Sequence, residues 1–214
     1  LKSQSAFLEG LQDRTITVGK DTYDLPAFSF AIATMNPVEL GQGTFPLSEA
    51  ATDRFAVMIN VGYLPAEEEA KLGNSDFNHA RLNALRSQER IIQMRSRTNE
   101  TVFLHERLGT YIQQLVSATR PYNPDTDWHK HSPSDLVERG VDLGASPRAI
   151  IVWGRLAKVW ALLMHGRDEV FPEDIQALAP YVLSHRIWLG PHAASHGLTS
   201  DAVVKDVVAR VPIP

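Results

Sequence analysis

The sequence predicts an α/β segment followed by an all-helical one, and three observations carry that reading. Two short apolar runs, 28–34 and 57–61, are bounded by prolines or polar residues in the manner of strands covered on both faces. After Tyr63 such runs disappear, and apolar residues recur at the spacing of helices instead. The 214 residues carry 21 Lys+Arg against 25 Asp+Glu, a net charge of −4, and 43% hydrophobic residues, so a sizeable core is possible and a disordered or collagen-like chain is excluded. A domain boundary is expected between residues 63 and 100. It divides the chain into 1–63, a connecting helical segment 64–100, and a helical domain 101–214 with a loop insertion at 120–143.

Each element has its own local reason. Phe7, Leu8 and Leu11 share one face of a short helix. Thr15 to Val18 and Thr22 to Leu25 flank Gly19-Lys20-Asp21, which predicts a β-hairpin over 14–25. Ser48 can cap a short helix that runs through Asp53-Arg54-Phe55. Leu104, Leu108, Tyr111, Ile112, Leu115 and Val116 form one apolar helical face; Ile150, Trp153, Val159, Trp160 and Leu163 form another. Between them the Pro-, Asp- and His-rich stretch 120–134 has no apolar period and reads as an exposed loop. Pro172-Glu173-Asp174 opens a last helical region, which Pro180 should kink or divide.

Several chemistries are absent from the sequence. With no Cys, thiolate nucleophiles, disulfides and Cys-ligated metals are excluded, and a reducing compartment, the cytoplasm, is the expected location. The most apolar region, 149–164, carries Arg155 and Lys158, so no membrane span is expected. The phosphate-cradling GxxxxGK[ST] loop does not occur: Gly19-Lys20 is followed by Asp21 and lacks a Gly five residues earlier. His129-Lys130-His131 and the His192/His196 pair have no third ligand nearby, and no metal site is assigned to them. Arg81, Arg86, Arg90, Arg95 and Arg97 read as a solvated helix face rather than a nucleic-acid surface.

Three polar positions carry candidate function. Ser146 is a good N-cap and Pro147 suits a first helical turn, so Arg148 falls where the helix dipole is already positive, a cost that a bound phosphate would reverse. Asn36 follows the carboxyl end of the run 28–34, the place where α/β sheets bind ligands. Asp53-Arg54 lies near a helix C-terminus, where a cation is favoured, and taken alone reads as a solvated pair.

Together these segments closely resemble a known family. Phe30-Ala31-Ile32-Ala33-Thr34-Met35-Asn36-Pro37, Gly43 to Ala50, Asp53-Arg54-Phe55 and Val61-Gly62-Tyr63 resemble the second half of the ATPase core of MoxR-type AAA+ proteins. Ala118-Thr119-Arg120, Gly144 to Ala149, Gly166-Arg167-Asp168 and Pro172-Glu173-Asp174 resemble that family's helical lid, in the same order. The resemblance implies an α/β partial P-loop AAA+ core followed by an all-α lid. It implies that Asn36 is the first sensor, that Arg54 is an arginine finger acting in the neighbouring subunit, and that Arg148 is the second sensor on the bound nucleotide. ATP and Mg²⁺ are the implied cofactors. The implied partners are further copies in a ring, expected to be hexameric, and a client protein, with a von Willebrand factor A-domain protein as one candidate.

Two features depart from the family pattern. The 120–143 stretch is longer than usual, and the P-loop and metal-binding acidic pair are missing from these residues. The chain is therefore read as a C-terminal portion of the ATPase that is inactive alone. The alternative is a non-catalytic interaction module on the same architecture.

Overall fold

The computed structural model describes residue 10 and residues 13–35, 48–73, 85–122 and 134–214. The helix expected around Phe7 to Leu11 lies almost wholly outside the described residues, as do Asn36, Arg81 and His129 to His131.

β1 (Thr15–Val18) and β2 (Asp21–Asp24) form the expected antiparallel hairpin, with Thr15 opposite Asp24 and Val18 opposite Asp21. The Arg14 side chain donates to the carbonyls of Pro26 and Ala27, both at 2.8 Å, and so fixes the exit of the hairpin. The two apolar runs correct the sequence reading. Residues 28–35 and 57–65 carry no strand, and Phe30, Ile32, Ile59, Val61 and Tyr63 are exposed. A strand covered on both faces needs paired neighbours for its backbone groups. Among the described residues neither run is paired with another strand.

α1 (Glu49–Thr52) is capped by Ser48, whose hydroxyl accepts from the Ala51 amide. It stops before Asp53, so Asp53 to Ala56 form a turn rather than helix as expected. α2 (Ala66–Leu72) and α3 (Gln88–Thr101) follow. α3 buries only Thr98 and leaves Arg90, Arg95 and Arg97 in solvent.

The helical region contains α4 (Glu106–Ala118), α5 (Asp135–Gly140), β3 (Val141–Leu143), α6 (Arg148–His165), α7 (Pro172–Leu183), a 3₁₀ turn (Ser184–Arg186), β4 (Trp188–Leu189), α8 (Pro191–Ser195) and α9 (Ser200–Arg210). α6 packs on α4 and α7, and α9 packs on α7. The core they enclose includes Tyr111, Ile112, Leu115, Trp153, Ile175, Leu183 and Val203, all fully buried. Its two large polar-tipped aromatics are partnered: Trp153 Nε1 donates to the Ile175 carbonyl at 3.1 Å, and Gln176 Nε2 donates to the Tyr111 hydroxyl at 3.0 Å.

Gly166 ends α6 in the left-handed conformation at φ 65°. The amides of Gly166 and Arg167 return to the carbonyls of Leu162 and Ala161, at 3.0 and 3.1 Å. That turn aims Arg167 at the fully buried Asp174, which accepts from Arg167 Nη2 and from the Phe171 amide, both at 2.8 Å.

Four expectations for this region are corrected. The 120–143 stretch is not all loop, because α5 and β3 occupy its end. The region is not purely helical either, because β3 pairs with β4 in an antiparallel ladder, Val141 opposite Leu189. That pairing joins residues nearly fifty positions apart and is too short to leave a periodic pattern. Leu163 is exposed, because small residues, Ala149, Ala157 and Ala161, together with Trp153, form the buried stripe of α6. α7 is not divided at Pro180, since packing on α6 and α9 holds the turns on either side.

Candidate functional site

The turn after α1 docks onto the helical region, and Asp53 is the centre of that contact. Its side chain is only 16% exposed. Arg186, buried at the end of the 3₁₀ turn, donates from Nε to Asp53 Oδ1 at 3.1 Å. Ser146 Oγ donates to the same carboxylate, 2.9 Å from Oδ1 and 2.8 Å from Oδ2. Arg148 Nη1 lies 3.5 Å from Asp53 Oδ2, with the Arg148 side chain 45% exposed. Three groups from the helical region thus converge on one carboxylate of the α/β segment.

Arg186 does more than balance that charge. Nη2 donates to the carbonyls of Asp53 (3.0 Å) and Phe55 (2.6 Å), and Nη1 to that of Ala56 (3.3 Å) and that of Val182. With the bond to the carboxylate, all five guanidinium N–H groups are directed at acceptors. Burial pulls the Arg186 pKa below its ordinary value, and the charge of Asp53 opposes this. His185 adds a bond from Nε2 to the Phe55 carbonyl at 3.1 Å. Its pKa is lowered to about 4, first by burial and then by the charge of Arg186, against the opposing pull of the Phe55 carbonyl and Asp53. At neutral pH it is therefore an uncharged donor. The Met58 amide closes the contact by donating to the Tyr181 carbonyl at 2.9 Å.

Arg148 is placed by a second set of contacts. Ser146 Oγ accepts from the Arg148 amide at 3.2 Å, so this hydroxyl meets the first turn of α6 while donating to Asp53. The loop before it is held against the end of α4: the Ala145 amide donates to Thr119 Oγ1 at 2.9 Å, and Arg120 Nε to the Ala145 carbonyl at 2.9 Å. Gly144 permits this approach, because a Cβ there would lie 2.4 Å from the Thr119 carbonyl oxygen.

Of the three residues singled out from sequence, Arg148 is brought to Asp53, Arg54 follows Asp53 in the chain, and Asn36 lies outside the described residues. The Arg54 side chain donates back to the Ala50 carbonyl of α1. Asp53 is not a solvated partner of Arg54, as the sequence suggested; its partners are Ser146, Arg148 and Arg186. Sequence reasoning missed Arg186 and His185 altogether. The available signal was a basic pair directly behind an apolar helix with no acidic neighbour in the chain, and the Arg186 partner lies 133 positions away. His192 and His196 stack at 4.3 Å on the surface, and no described group of three His, Asp or Glu side chains could hold a metal ion.

A small α/β segment whose capped turn docks onto a helical lid, with an arginine at the head of a lid helix, is the arrangement of an AAA-type ATPase. Residues 1–57 match the model of the ATPase family associated with various cellular activities (AAA), and residues 134–207 match that of the AAA lid domain. The chain is 36% identical over 216 residues to the "uncharacterized protein YeaC" of Bacillus subtilis, covering all of this chain and 62% of that protein. It is 33% identical over 219 residues to the chaperone MoxR1 of Mycobacterium tuberculosis, covering all of this chain and 54% of that protein. To the protein MoxR of Methylorubrum extorquens it is 28% identical over 225 residues, covering 95% and 60%. A crystal structure of a "putative ATPase" from Cytophaga hutchinsonii superposes with a TM-score of 0.83 at 34% identity, covering all of this chain and 62% of that one. The chain thus matches the AAA core and AAA lid families in order and is similar along its whole length to MoxR-type AAA+ proteins. It spans 54% to 62% of the length of these relatives.

Proposed function

We propose that this chain supplies the sensing half of an ATP-hydrolysing ring whose subunits turn over nucleotide to remodel client proteins. One observation carries the reading: the Asp53 carboxylate faces Arg148 on one side and precedes Arg54 in the chain on the other. In this reading Arg148 binds the nucleotide phosphates of its own subunit, Arg54 reaches the nucleotide of the next subunit, and Asn36 orients the attacking water. The segments 1–63, 64–100 and 101–214 are then the core portion, a connection and the lid.

Arg148 fits an anion on physical grounds. Its ion pair with Asp53 is 3.5 Å long and half exposed, a contact worth about 0–1 kcal/mol. Charge-assisted hydrogen bonds to phosphate are stronger than that, and the positive end of α6 adds to them. Phosphate can therefore draw Arg148 away from Asp53. Bound Mg²⁺ would supply charge neutralisation at the phosphates, and its ligands belong to the P-loop half rather than to the residues described here. The remaining work falls to this chain's own groups: Arg148 orients the phosphates, and Arg54 meets the charge that develops on the transferred group.

The reading is tested in a polypeptide that carries these residues together with a P-loop half. Arg54→Ala should lower kcat for ATP hydrolysis by about 10³–10⁵-fold with nucleotide affinity preserved. Arg148→Ala should weaken nucleotide binding. Full hydrolysis in both variants would overturn the proposal and leave the non-catalytic interaction module. Ring size by native mass spectrometry, and client capture with a von Willebrand factor A-domain protein, address the hexamer and the client.

A further inference from the structure

We propose that Arg186 is the positioning residue for Arg54: it clasps the Asp53–Ala56 turn to the lid, so that the trans-acting arginine moves with the lid of its own subunit. The inference rests on the reading of Arg54 as a finger. It comes from the direction of the Arg186 bonds, which no charge-balancing role requires. One N–H goes to the Asp53 side chain, and three go to the carbonyls of Asp53, Phe55 and Ala56, which bracket Arg54 in the chain.

A guanidinium that holds carbonyls on both sides of a residue fixes the path of the backbone there. Two further bonds from α7 and the 3₁₀ turn, His185 Nε2 with the Phe55 carbonyl and the Met58 amide with the Tyr181 carbonyl, extend the same seam. The Arg54 side chain itself donates to the Ala50 carbonyl within the α/β segment. Its backbone is therefore set from the lid side. When phosphate takes Arg148 from Asp53, the Arg186 clasp still ties the turn to the lid. A shift of the lid on nucleotide binding is then passed to the finger that serves the next subunit.

Lysine cannot replace this arginine, because a single ammonium reaches the Asp53 carboxylate or the carbonyls but not the whole fork. Arg186→Lys in the ring-forming polypeptide should lower kcat by about 10²-fold, the usual effect of moving a catalytic group by an ångström, with KM changed by less than about threefold. In rings that mix wild-type and Arg186→Lys subunits, the loss should appear in the active site that receives the variant's finger, not in the variant's own. Amide exchange separates positioning from collapse: the Met58 amide should lose protection while α6 amides around Trp153 keep theirs. Asp53→Asn, which keeps the size of the side chain, is the second variant if Arg186→Lys does not fold, and it should give the same pattern more weakly.

Wild-type kcat with an unprotected Met58 amide, or a loss confined to the variant's own site, would overturn the proposal. Should Arg54→Ala leave hydrolysis intact, the finger reading fails; Arg54→Ala inactive beside Arg186→Lys fully active refutes the clasp alone.

Discussion

The lid and the apolar runs 28–35 and 57–65 use similar side chains to opposite ends. Trp153, Tyr111 and Leu115 are wholly buried, whereas Phe30, Val61 and Tyr63 are 78%, 93% and 98% exposed. The difference lies in how each backbone satisfies its polar groups. A helix closes its hydrogen bonds within itself, so an apolar stripe needs only one more helix to cover it. A strand must borrow partners from neighbouring strands before its side chains can be covered. Apolar content alone does not decide burial; the source of backbone partners does.

That contrast can be broken by substitution. Trp153→Ala should cost about 3–5 kcal/mol, since it empties a core site and frees the Ile175 carbonyl, while Val61→Ala should change stability by less than about 0.5 kcal/mol. Urea denaturation of the two variants by circular dichroism measures both numbers. Equal costs would mean that the exposed run is packed in solution.

The seam between the two regions should respond to acid. The pKa of His185 is about 4 in the folded protein against an ordinary value of 6.5, so the unfolded chain binds more protons between those values. Stability is fully present above pH 6.5 and falls as pH drops towards 4, by up to about 3 kcal/mol. The groups facing this ring are Arg186, Asp53 and the carbonyls of Phe55 and Tyr181. His185→Gln should flatten the stability profile between pH 6.5 and 4. Gly144→Ala should cost about 1–3 kcal/mol by forcing the Ala145 loop away from Thr119, and calorimetry at neutral pH would register it.

How much was legible in the sequence follows the same division. The hairpin, α4, the start of α7 and the Ser48 cap are local, and each is legible in neighbouring residues. The burial of 28–34 and 57–61 was misread because their fate depends on partners outside the runs. The α6 stripe was half read, since alanines at helical spacing carry a weaker signal than Leu163. At the candidate site, Arg54 and Arg148 were visible through local chemistry and family resemblance. Asp53 was taken for a surface residue and Arg186 went unseen, because their meaning lies in a bond that spans 133 positions.

The claim that the turn carrying Arg54 rides on the lid is tested most directly by a distance. Because the chain has no Cys, spin labels can be placed cleanly at two introduced cysteines, Glu49→Cys on α1 and Arg155→Cys on α6, both exposed positions. Double electron–electron resonance should then give one narrow distance distribution, and Arg186→Lys should broaden it. A broad distribution in the otherwise unaltered chain, with the lid still folded, would contradict the clasp.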